Sequence, residues 1–336
     1  MMGLCRAGGS LNLLVLSIVP LLFRAERGRI AKLQPKEPMK NLKEHARQMR
    51  RQIFEYQLRT RGAKYRSFLR YLRLFKYAAF SPLRGTFLES YYTLMRYLDD
   101  IVDGDAPVPE GFPNGAAYVE EKIRFSEKPE APRDAVDYLM LYCFEVGQRF
   151  GANFQEETAD ILHSLLFDAH RRDKLLFFPE KELMYHFHLL DIRGTIRATL
   201  KIFKEDPDKY EILEPLGLAS RFYYDLRDFG ADVRAGYINV SMEDSRLFSI
   251  SRQSLFDVHS PGVQRWFRSQ AQKGLELLEE HHRKLPLGRF SLLARATFPL
   301  VYEAPARRFF REVLQREEPP APMIKKAAAP AAHPWG

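Results

Sequence analysis

Three carboxylates lie in one stretch of this chain that otherwise has the pattern of a buried helix. The stretch runs from Tyr91 to Asp103, reads YYTLMRYLDDIVD and contains neither glycine nor proline. Because a buried carboxylate without a partner is energetically costly, an apolar helix normally excludes such groups. Asp99 and Asp103 are four residues apart, so on a helix they share one face and their oxygens can reach a hard divalent cation. The stretch therefore predicts a helix that carries a cation site.

A second aromatic stretch repeats this spacing further along the chain. Asp228 and Asp232 again stand four residues apart, and Asp225 precedes them by one turn. Each acidic pair has an arginine beside it, Arg96 in the first stretch and Arg227 in the second. Carboxylates bind Mg²⁺, Mg²⁺ binds phosphate oxygens, and arginine can bind further phosphate oxygens bidentately. Two such helices predict a site for a diphosphate bridged by Mg²⁺.

Helical periodicity extends over most of the remaining chain. Apolar residues recur at the helical spacing, no alternating strand pattern of any length occurs, and the connecting loops are short. Pro82 and Gly85 are expected to break the pattern just before the first acidic helix. The further helical segments are 116–126, 134–150, 156–174, 181–203, 263–282 and 289–316. The predicted fold class is all-α.

The sequence divides into one domain and two extensions. At 336 residues the chain can bury a large core, and residues 40–316 are expected to form a single domain. Residues 1–39 are expected to be a poorly ordered extension. The apolar run at 11–23 is short for a transmembrane helix and has the length of a signal-peptide core, so a targeting role for it stays open. Residues 317–336, rich in proline and alanine, are expected to be disordered.

The charge balance favours an anionic partner. The formal net charge is +9, and basic residues interleaved with aromatics are concentrated at 40–84. This pattern is shared by nucleic-acid-binding arms and by amphipathic helices that meet diphosphates or lipid headgroups, so charge alone does not choose among them. The two cysteines, Cys5 and Cys143, exclude a disulfide framework or a thiolate metal site and favour a reducing compartment.

The two acidic stretches resemble the motifs of the squalene and phytoene synthases, which join two prenyl chains head to head. The first family motif, Arg-x-x-Asp-Asp-Ile-x-Asp, is matched from Arg96 to Asp103. The second, Leu-Arg-Asp-x-x-x-Asp-x-x-x-Gly, is matched from Leu226 to Gly236. LGLA at 216–219 and the two aspartates of FDAHRRD at 167–173 also fit the family. The resemblance covers roughly residues 64 to 310.

This resemblance implies an isoprenoid-synthase-type bundle in which the two acidic helices face each other across a central cavity. The residues that it implies for metal binding and catalysis are Asp99, Asp103, Asp228 and Asp232, with Tyr92 steering the cation or proton loss. The candidate residues for diphosphate binding are Arg96, Arg227, Arg221 and Lys64; Arg221 and Lys64 stand where the family has glutamine and histidine. Those that it implies for the prenyl-chain cavity are Phe68 and Gly194.

The implied activity is Mg²⁺-dependent ionisation of an allylic prenyl diphosphate, farnesyl or geranylgeranyl, and coupling of two such chains to a linear C30 or C40 hydrocarbon. Mg²⁺ is the expected cofactor, and NADPH would be needed only if the product were squalene. The prenyl diphosphate is the expected partner, and no nucleic acid is expected. The expected location is cytoplasmic, either free or peripheral on a membrane.

One departure from the family motifs keeps alternative functions open. Arg221 and Tyr224 stand where the family usually has a glutamine and an asparagine that help to hold metal and the second diphosphate. Their loss is expected of a terpene cyclase, which ionises one prenyl diphosphate and folds it onto itself. A non-catalytic helper protein on the same fold would be expected to lose aspartates that this chain keeps, and a nucleic-acid-binding protein would not need them.

Two other departures carry structural expectations. Arg193 and Arg197 replace small residues around Gly194, so each is expected either to protrude into solvent or to bring positive charge to a phosphate in the cavity. Tyr237 and Asn239 belong to a segment, YINV, that replaces the family's aromatic-Leu-Pro after the second motif. That segment is expected to have no direct contact with the chemistry.

Overall fold

Helices form the regular structure of the computed structural model, which describes residues 41–60 and 82–315. Within these ranges the strand-like pairing is one isolated bridge between Phe178 and Ser241. The α-helices are α1 (41–60), α2 (Pro82–Val102), α3 (Gly115–Glu127), α4 (Ala135–Arg149), α5 (Gln155–Arg171), α6 (Glu180–Phe187), α7 (Arg197–Phe203), α8 (Tyr210–Arg234), α9 (Met242–Leu247), α10 (Pro261–Lys284), α11 (Leu292–Phe298) and α12 (Ala304–Gln315). The all-α prediction is confirmed.

The first acidic helix begins earlier than the sequence suggested. The expected break at Pro82 and Gly85 is wrong, because α2 starts at Pro82 and contains Gly85 within an unbroken helix of 21 residues. Proline is tolerated in the first helical turn, where its missing N–H would have no intrahelical partner. The acidic motif therefore lies at the C-terminal end of a long helix.

Aromatic packing fixes α2 against α5. The ring of Phe87 stacks on that of Tyr91 at 5.3 Å between centroids and lies 4.2 Å from the ring of Phe154, which precedes α5. The Tyr91 hydroxyl lies 3.2 Å from the Thr158 hydroxyl on α5. These buried contacts fix the face of α2 that packs into the core, and this face carries no carboxylate of the acidic motif.

A buried ion-pair cluster joins α3 to the start of α4. The Lys122 ammonium, 2% exposed, lies 2.6 Å from Asp137 and 2.7 Å from Asp134. The Asp134 side chain also accepts a hydrogen bond from the Asp137 backbone N–H, which caps α4. Because all three charges have partners, the burial of Lys122 is tolerated.

A π-helical segment, His188–Ile196, joins α6 to α7 without interruption. Two glycines let it pack closely between its neighbours. A Cβ at Gly194 would lie 2.3 Å from Ile161 of α5, and a Cβ at Gly217 of α8 would lie 2.2 Å from Ile192 of the π-helical segment. π-helical turns are rare and often occur at functional sites. Close packing therefore places this segment between α5, which packs against the first acidic helix α2, and α8, which carries the second acidic motif.

The second acidic helix, α8, is a 25-residue helix that packs along α10. Phe229 of α8 contacts both Trp266 and Phe267 of α10, with ring centroids 5.6 and 5.1 Å apart. Both α10 rings are fully buried, so this face of α8 belongs to the core. In the two described ranges, no helix combines the length and apolar character required to cross a membrane.

Candidate active site

The acidic motif of α2 contains one buried carboxylate and two that are more accessible. The Asp100 side chain is 1% exposed, accepts a hydrogen bond from Gln57 of α1 at 3.0 Å and pairs with Arg96 Nε at 3.0 Å. Asp99 is 31% exposed and lies 2.6 Å from Arg96 Nη1. Asp100 therefore anchors α2 and orients Arg96, whereas Asp99 is placed where a ligand could reach it.

Asp103, one turn after Asp99, lies in a strongly negative environment. Burial and the neighbouring charges of Asp99 and Asp168 raise the pKa of its carboxyl well above the ordinary range, and Arg96 opposes them only in part. A bound cation would remove this repulsion, because an opposite charge favours the ionised carboxylate. The cluster therefore has the charge pattern of a cation site.

Asp168, at the end of α5, connects the first motif to the rest of the site. It lies 2.7 Å from Arg171 Nε and 3.3 Å from His186 Nε2. Burial opposes its ionisation, whereas the guanidinium groups of Arg171 and Arg221 and the hydrogen bond from Arg171 favour the ionised carboxylate. Burial lowers the pKa of His186 to about 3, so at neutral pH the arginine is the charged partner. Asp168 is thus a carboxylate held ionised beside the predicted cation site.

The second acidic motif repeats the arrangement of the first. Arg227 donates to both oxygens of Asp228, and its guanidinium lies 5.2 Å from the ring centroid of Tyr223 and 4.6 Å from that of Tyr224. The Asp228 side chain is 16% exposed, and Asp232 is partly buried one turn later. In both motifs an arginine therefore lies against a predicted metal-ligand carboxylate.

Tyr237 links the C-terminal ends of the two acidic helices. Its backbone N–H donates to the Asp232 carbonyl at 2.8 Å, and its hydroxyl lies 3.4 Å from the Val102 carbonyl of α2. Burial, the charge of Asp103 and a hydrogen bond with the Asp103 carboxylate raise the pKa of the Tyr237 hydroxyl. The C-terminal ends of the two motifs are therefore within the span of one tyrosine residue, and all four carboxylates of the two acidic pairs are partly buried.

A second charged cluster lies between α8 and the π-helical segment. Arg221 Nη2 lies 2.8 Å from Asp225, which also accepts a hydrogen bond from Asn239 at 2.8 Å. Burial raises the pKa of Asp225 to about 6 and that of Asp191 to about 7, and Arg221 opposes both shifts. Asp191 Oδ2 and Arg221 Nε are buried without a hydrogen-bond partner among the described residues. A polar ligand could satisfy both atoms.

Tyr302 borders this cluster from the C-terminal helices. It lies in the π-helical segment Pro299–Glu303, its hydroxyl is hydrogen-bonded to the Thr199 side chain, and it is close to Tyr224 and Asp191. Burial raises the pKa of the Tyr302 hydroxyl above its ordinary value. The segment that follows α11 therefore contributes to the enclosure of the site.

The structure corrects the expectation for Arg193 and Arg197. Both arginines are paired with carboxylates of α5, Arg193 with Asp160 at 3.0 Å and Arg197 with Glu156 at 2.7 Å. Glu157 lies 3.6 Å from Arg197 Nε. Carboxylates in the N-terminal half of α5 therefore neutralise both side chains, which removes the reason for a phosphate-facing role.

The expectation that the segment after the second motif has no contact with the chemistry is also wrong. Tyr237 reaches Asp103, as described above. Asn239 donates to Asp225 and accepts a hydrogen bond from Arg171 at 2.7 Å. The segment therefore positions carboxylates of both clusters, although its sequence departs from the family pattern.

The remaining predicted residues have different outcomes. Tyr92 is partly exposed and close to Arg96, as a shared helix face requires. Gly194 provides room for Ile161, and its role at a prenyl-chain cavity stays a prediction. Lys64 and Phe68 lie outside the described residues.

Within the described residues, no group of three or more His, Cys, Asp or Glu side chains is arranged to hold a metal ion. This does not conflict with Mg²⁺, which commonly binds proteins through one or two carboxylates and completes its coordination with water and substrate phosphate. The half-buried Asp99 and Asp228 and the charge-crowded Asp103 fit such binding. The donor set is therefore suited to metal ions that arrive with a diphosphate.

Sequence reasoning did not select three residues that the structure brings to the site, Asp168, Asp191 and Tyr237. The aspartate spacing of the middle segment was a signal for Asp168. Asp191 lies beside the Gly194 break, and its position in an otherwise apolar run was a weaker signal. Nothing local in the sequence marked Tyr237, because its contacts join residues that are far apart in the chain.

Comparisons with known proteins support the fold. No protein-family model matches the chain, and no curated protein matches it. Among solved structures, squalene synthase HpnC from Alicyclobacillus acidocaldarius is similar with a TM-score of 0.59 and 18% identity, over 82% of this chain and 96% of that one. A dehydrosqualene synthase in complex with ligand is similar with a TM-score of 0.56 and 18% identity, over 83% and 90% of the two chains. The chain therefore has the helical fold of the squalene and dehydrosqualene synthases, in agreement with the resemblance of its two aspartate motifs.

Proposed function

We propose that this protein is an Mg²⁺-dependent prenyl transferase of the squalene/phytoene synthase type. The observation that carries the proposal is the position of the two acidic motifs, whose helix ends are joined through Tyr237. Each motif presents a carboxylate pair with an arginine against it. This arrangement is suited to a diphosphate bound between two sets of metal ligands.

Four carboxylates would hold the metal ions: Asp99 on α2, Asp103 directly after the end of α2, and Asp228 and Asp232 on α8. When bound, Mg²⁺ would supply Lewis-acid stabilisation of the negative charge that develops on the departing diphosphate. Asp100 would not be a ligand, because it is buried and fully engaged with Gln57 and Arg96. Its role is to keep the other two carboxylates of the motif in place.

Arg96 and Arg227 would bind the diphosphate oxygens. Each guanidinium already lies within the site against a carboxylate, so phosphate binding requires a change of hydrogen-bond partners and little movement of the helices. A cationic donor fixed where negative charge develops lowers the barrier to ionisation. The ring of Tyr92, on the same helix face as Arg96, would stabilise the allylic cation through its π electrons.

After ionisation, the double bond of a second prenyl diphosphate would attack the cation and, with loss of a proton, give a cyclopropyl diphosphate. Departure of that second diphosphate, rearrangement of the resulting cation and loss of another proton would give a linear C30 or C40 hydrocarbon. The apolar and aromatic residues around the charged clusters would exclude water from the cation. NADPH would be needed only for a squalene product.

The test is to incubate purified protein with farnesyl or geranylgeranyl diphosphate and Mg²⁺ and to identify the product by mass spectrometry. We expect Asp103→Asn and Asp228→Asn each to reduce turnover by about 10² or more, as expected for lost charge stabilisation. Asp257→Asn, which changes an exposed aspartate outside the site, is the matched control and should retain activity. Unchanged turnover in both site variants would contradict the proposal.

Terpene cyclisation is a second candidate, favoured by one observation. Arg221 stands where the family has a residue for the second diphosphate, and here it is already paired with Asp225. An arginine committed to that pair leaves fewer ligands for a second metal-bound diphosphate. A cyclic product formed from one farnesyl or geranylgeranyl chain would establish cyclisation, whereas a C30 or C40 product would exclude it as the main reaction.

A further inference from the structure

The turn between α10 and α11 exposes large apolar side chains beside basic ones. Leu287 is 73% exposed and Leu292 is 64% exposed. Arg289 between them and Arg295 after them are exposed as well. We call these four residues the leucine–arginine turn. Exposed leucines of this size, grouped with positive charge, are uncommon on a surface that faces only water.

The geometry of the turn holds the two leucines outward. Arg289 adopts a left-handed backbone conformation, with φ of 44°. Phe290, next in the chain, is buried and lies under the Lys209 ammonium at 5.2 Å. The Ser291 backbone N–H donates to Glu205 at 2.7 Å. The buried phenylalanine and this hydrogen bond anchor the turn, so the exposure of its leucines belongs to a fixed conformation.

The sequence on both sides of the leucine–arginine turn contains no acidic residue. No Asp or Glu occurs from residue 281 to residue 302. Glu205 contacts the turn, but its side chain is 6% exposed and pairs with Lys209 at 3.0 Å. Among the described residues, no carboxylate lies within ion-pair distance of Arg289 or Arg295. The turn therefore presents apolar side chains within a positive field.

We propose that the leucine–arginine turn docks this protein on an anionic lipid surface, with Leu287 and Leu292 entering the headgroup region and Arg289 and Arg295 meeting the phosphates. Apolar side chains flanked by basic ones are the features that bind such an interface. A second copy of the chain is disfavoured as the occupant, because two positively charged turns would repel each other. Nucleic acid is disfavoured because its backbone offers no partner for the leucines.

The position of the turn relates docking to the candidate site. α11 begins at Leu292, and the π-helical segment that follows it carries Tyr302, which borders the charged cluster. Tyr302 comes ten residues after Leu292, which corresponds to about 15 Å along a helix. A docked turn would therefore place the site near the lipid surface. The docking proposal itself does not depend on the reaction that the site performs.

The experiment measures co-sedimentation of the full chain with phosphatidylcholine vesicles that contain or lack phosphatidylglycerol. We expect binding only to the anionic vesicles, weakened by added salt. Leu287→Ser combined with Leu292→Ser should weaken binding about tenfold or more. Each of Arg289→Gln and Arg295→Gln should weaken it about fivefold. Circular dichroism would verify that each variant is folded.

Leu247→Ser is the matched control. Leu247 is 72% exposed and follows Arg246, but α9 also carries Glu243 and Asp244, so its charge is not positive overall and replacement of Leu247 should leave vesicle binding unchanged. The proposal is overturned if the unmodified chain does not sediment with anionic vesicles, or if Leu247→Ser weakens binding as much as the double leucine variant. Loss of a concentration-dependent dimer in the double variant, without vesicle binding, would assign the turn to self-association instead. Salt-sensitive binding of RNA or DNA through the arginines, with the leucines dispensable, would likewise overturn it.

Discussion

Replacement of Asp191 by asparagine should stabilise the fold at neutral and alkaline pH. Burial raises the pKa of Asp191 in the folded chain to about 7, whereas an aspartate in an unfolded chain has a pKa of about 3.9. The difference is about 3 pH units, and each unit corresponds to about 1.4 kcal/mol. Ionised Asp191 should therefore cost the folded state about 4 kcal/mol, and asparagine removes this cost.

The direction in which stability changes with pH follows from which state, folded or unfolded, keeps the Asp191 proton. Between about pH 4 and pH 7 the unfolded chain has released the Asp191 proton, while the folded chain still holds it. Raising the pH through this window therefore destabilises the unmodified protein, and the asparagine variant lacks this contribution. The two proteins should differ little near pH 4, and the variant should be the more stable by up to about 4 kcal/mol near pH 8.

The assay is urea unfolding followed by circular dichroism across this pH range, with EDTA present and no diphosphate. Asp173→Asn is the control, because the Asp173 side chain is 77% exposed. Its effect on the free energy of unfolding should be small. A stability difference for Asp191→Asn that is the same at acid and alkaline pH would refute the reasoning, since it would show that ionisation of Asp191 carries no cost.

Three further results are expected. Lys122→Met should destabilise the fold by about 3–5 kcal/mol in urea unfolding, because it leaves Asp137, 2% exposed, without its cation. The exposed control Lys128→Met should have little effect, and an equal loss in both would contradict this account. Gly194→Ala should cost about 1–3 kcal/mol in the same assay, because the new Cβ would lie 2.3 Å from Ile161 Cγ1 and 2.8 Å from the Leu189 carbonyl oxygen, and an unchanged midpoint would contradict the tight packing of the π-helical segment. Inorganic diphosphate should raise the thermal unfolding temperature only when Mg²⁺ is present, and Asp103→Asn should abolish the increase. A full increase in EDTA would count against metal-bridged binding.

Local sequence patterns predicted the helices well because their boundaries depend on nearby residues. The segments expected at 116–126 and 134–150 correspond to helices at Gly115–Glu127 and Ala135–Arg149. Asn114 and Asp134 cap these helices through their own side chains, which is a local interaction. The prediction at Pro82 was wrong because the local sequence does not distinguish a proline that starts a helix from one that interrupts it; tertiary contacts decide between the two.

The spacing of the aspartates predicted which carboxylates share a helix face, but not which of them would be buried. Asp99 and Asp100 are adjacent in sequence, yet Asp100 is buried because Gln57 of α1, a helix far from it in the sequence, packs against it and donates a hydrogen bond to it. Arg193 and Arg197 are neutralised by carboxylates of α5, which the sequence of their own helix does not reveal. Such pairings depend on how helices pack and are therefore absent from any local pattern.

The contact of Tyr237 with both acidic helices has a consequence for how the proposed prenyl transferase activity could be lost. The separation of the two motifs depends on the few residues that follow the second one, from Gly236, which has φ of 85°, to Asn239. An insertion or deletion in this short connection would shift the aspartates of one helix relative to those of the other while every motif residue remained unchanged. A variant chain could thus retain both motifs in full and still lack the proposed diphosphate site, so the length of this connection is as informative as the motifs themselves.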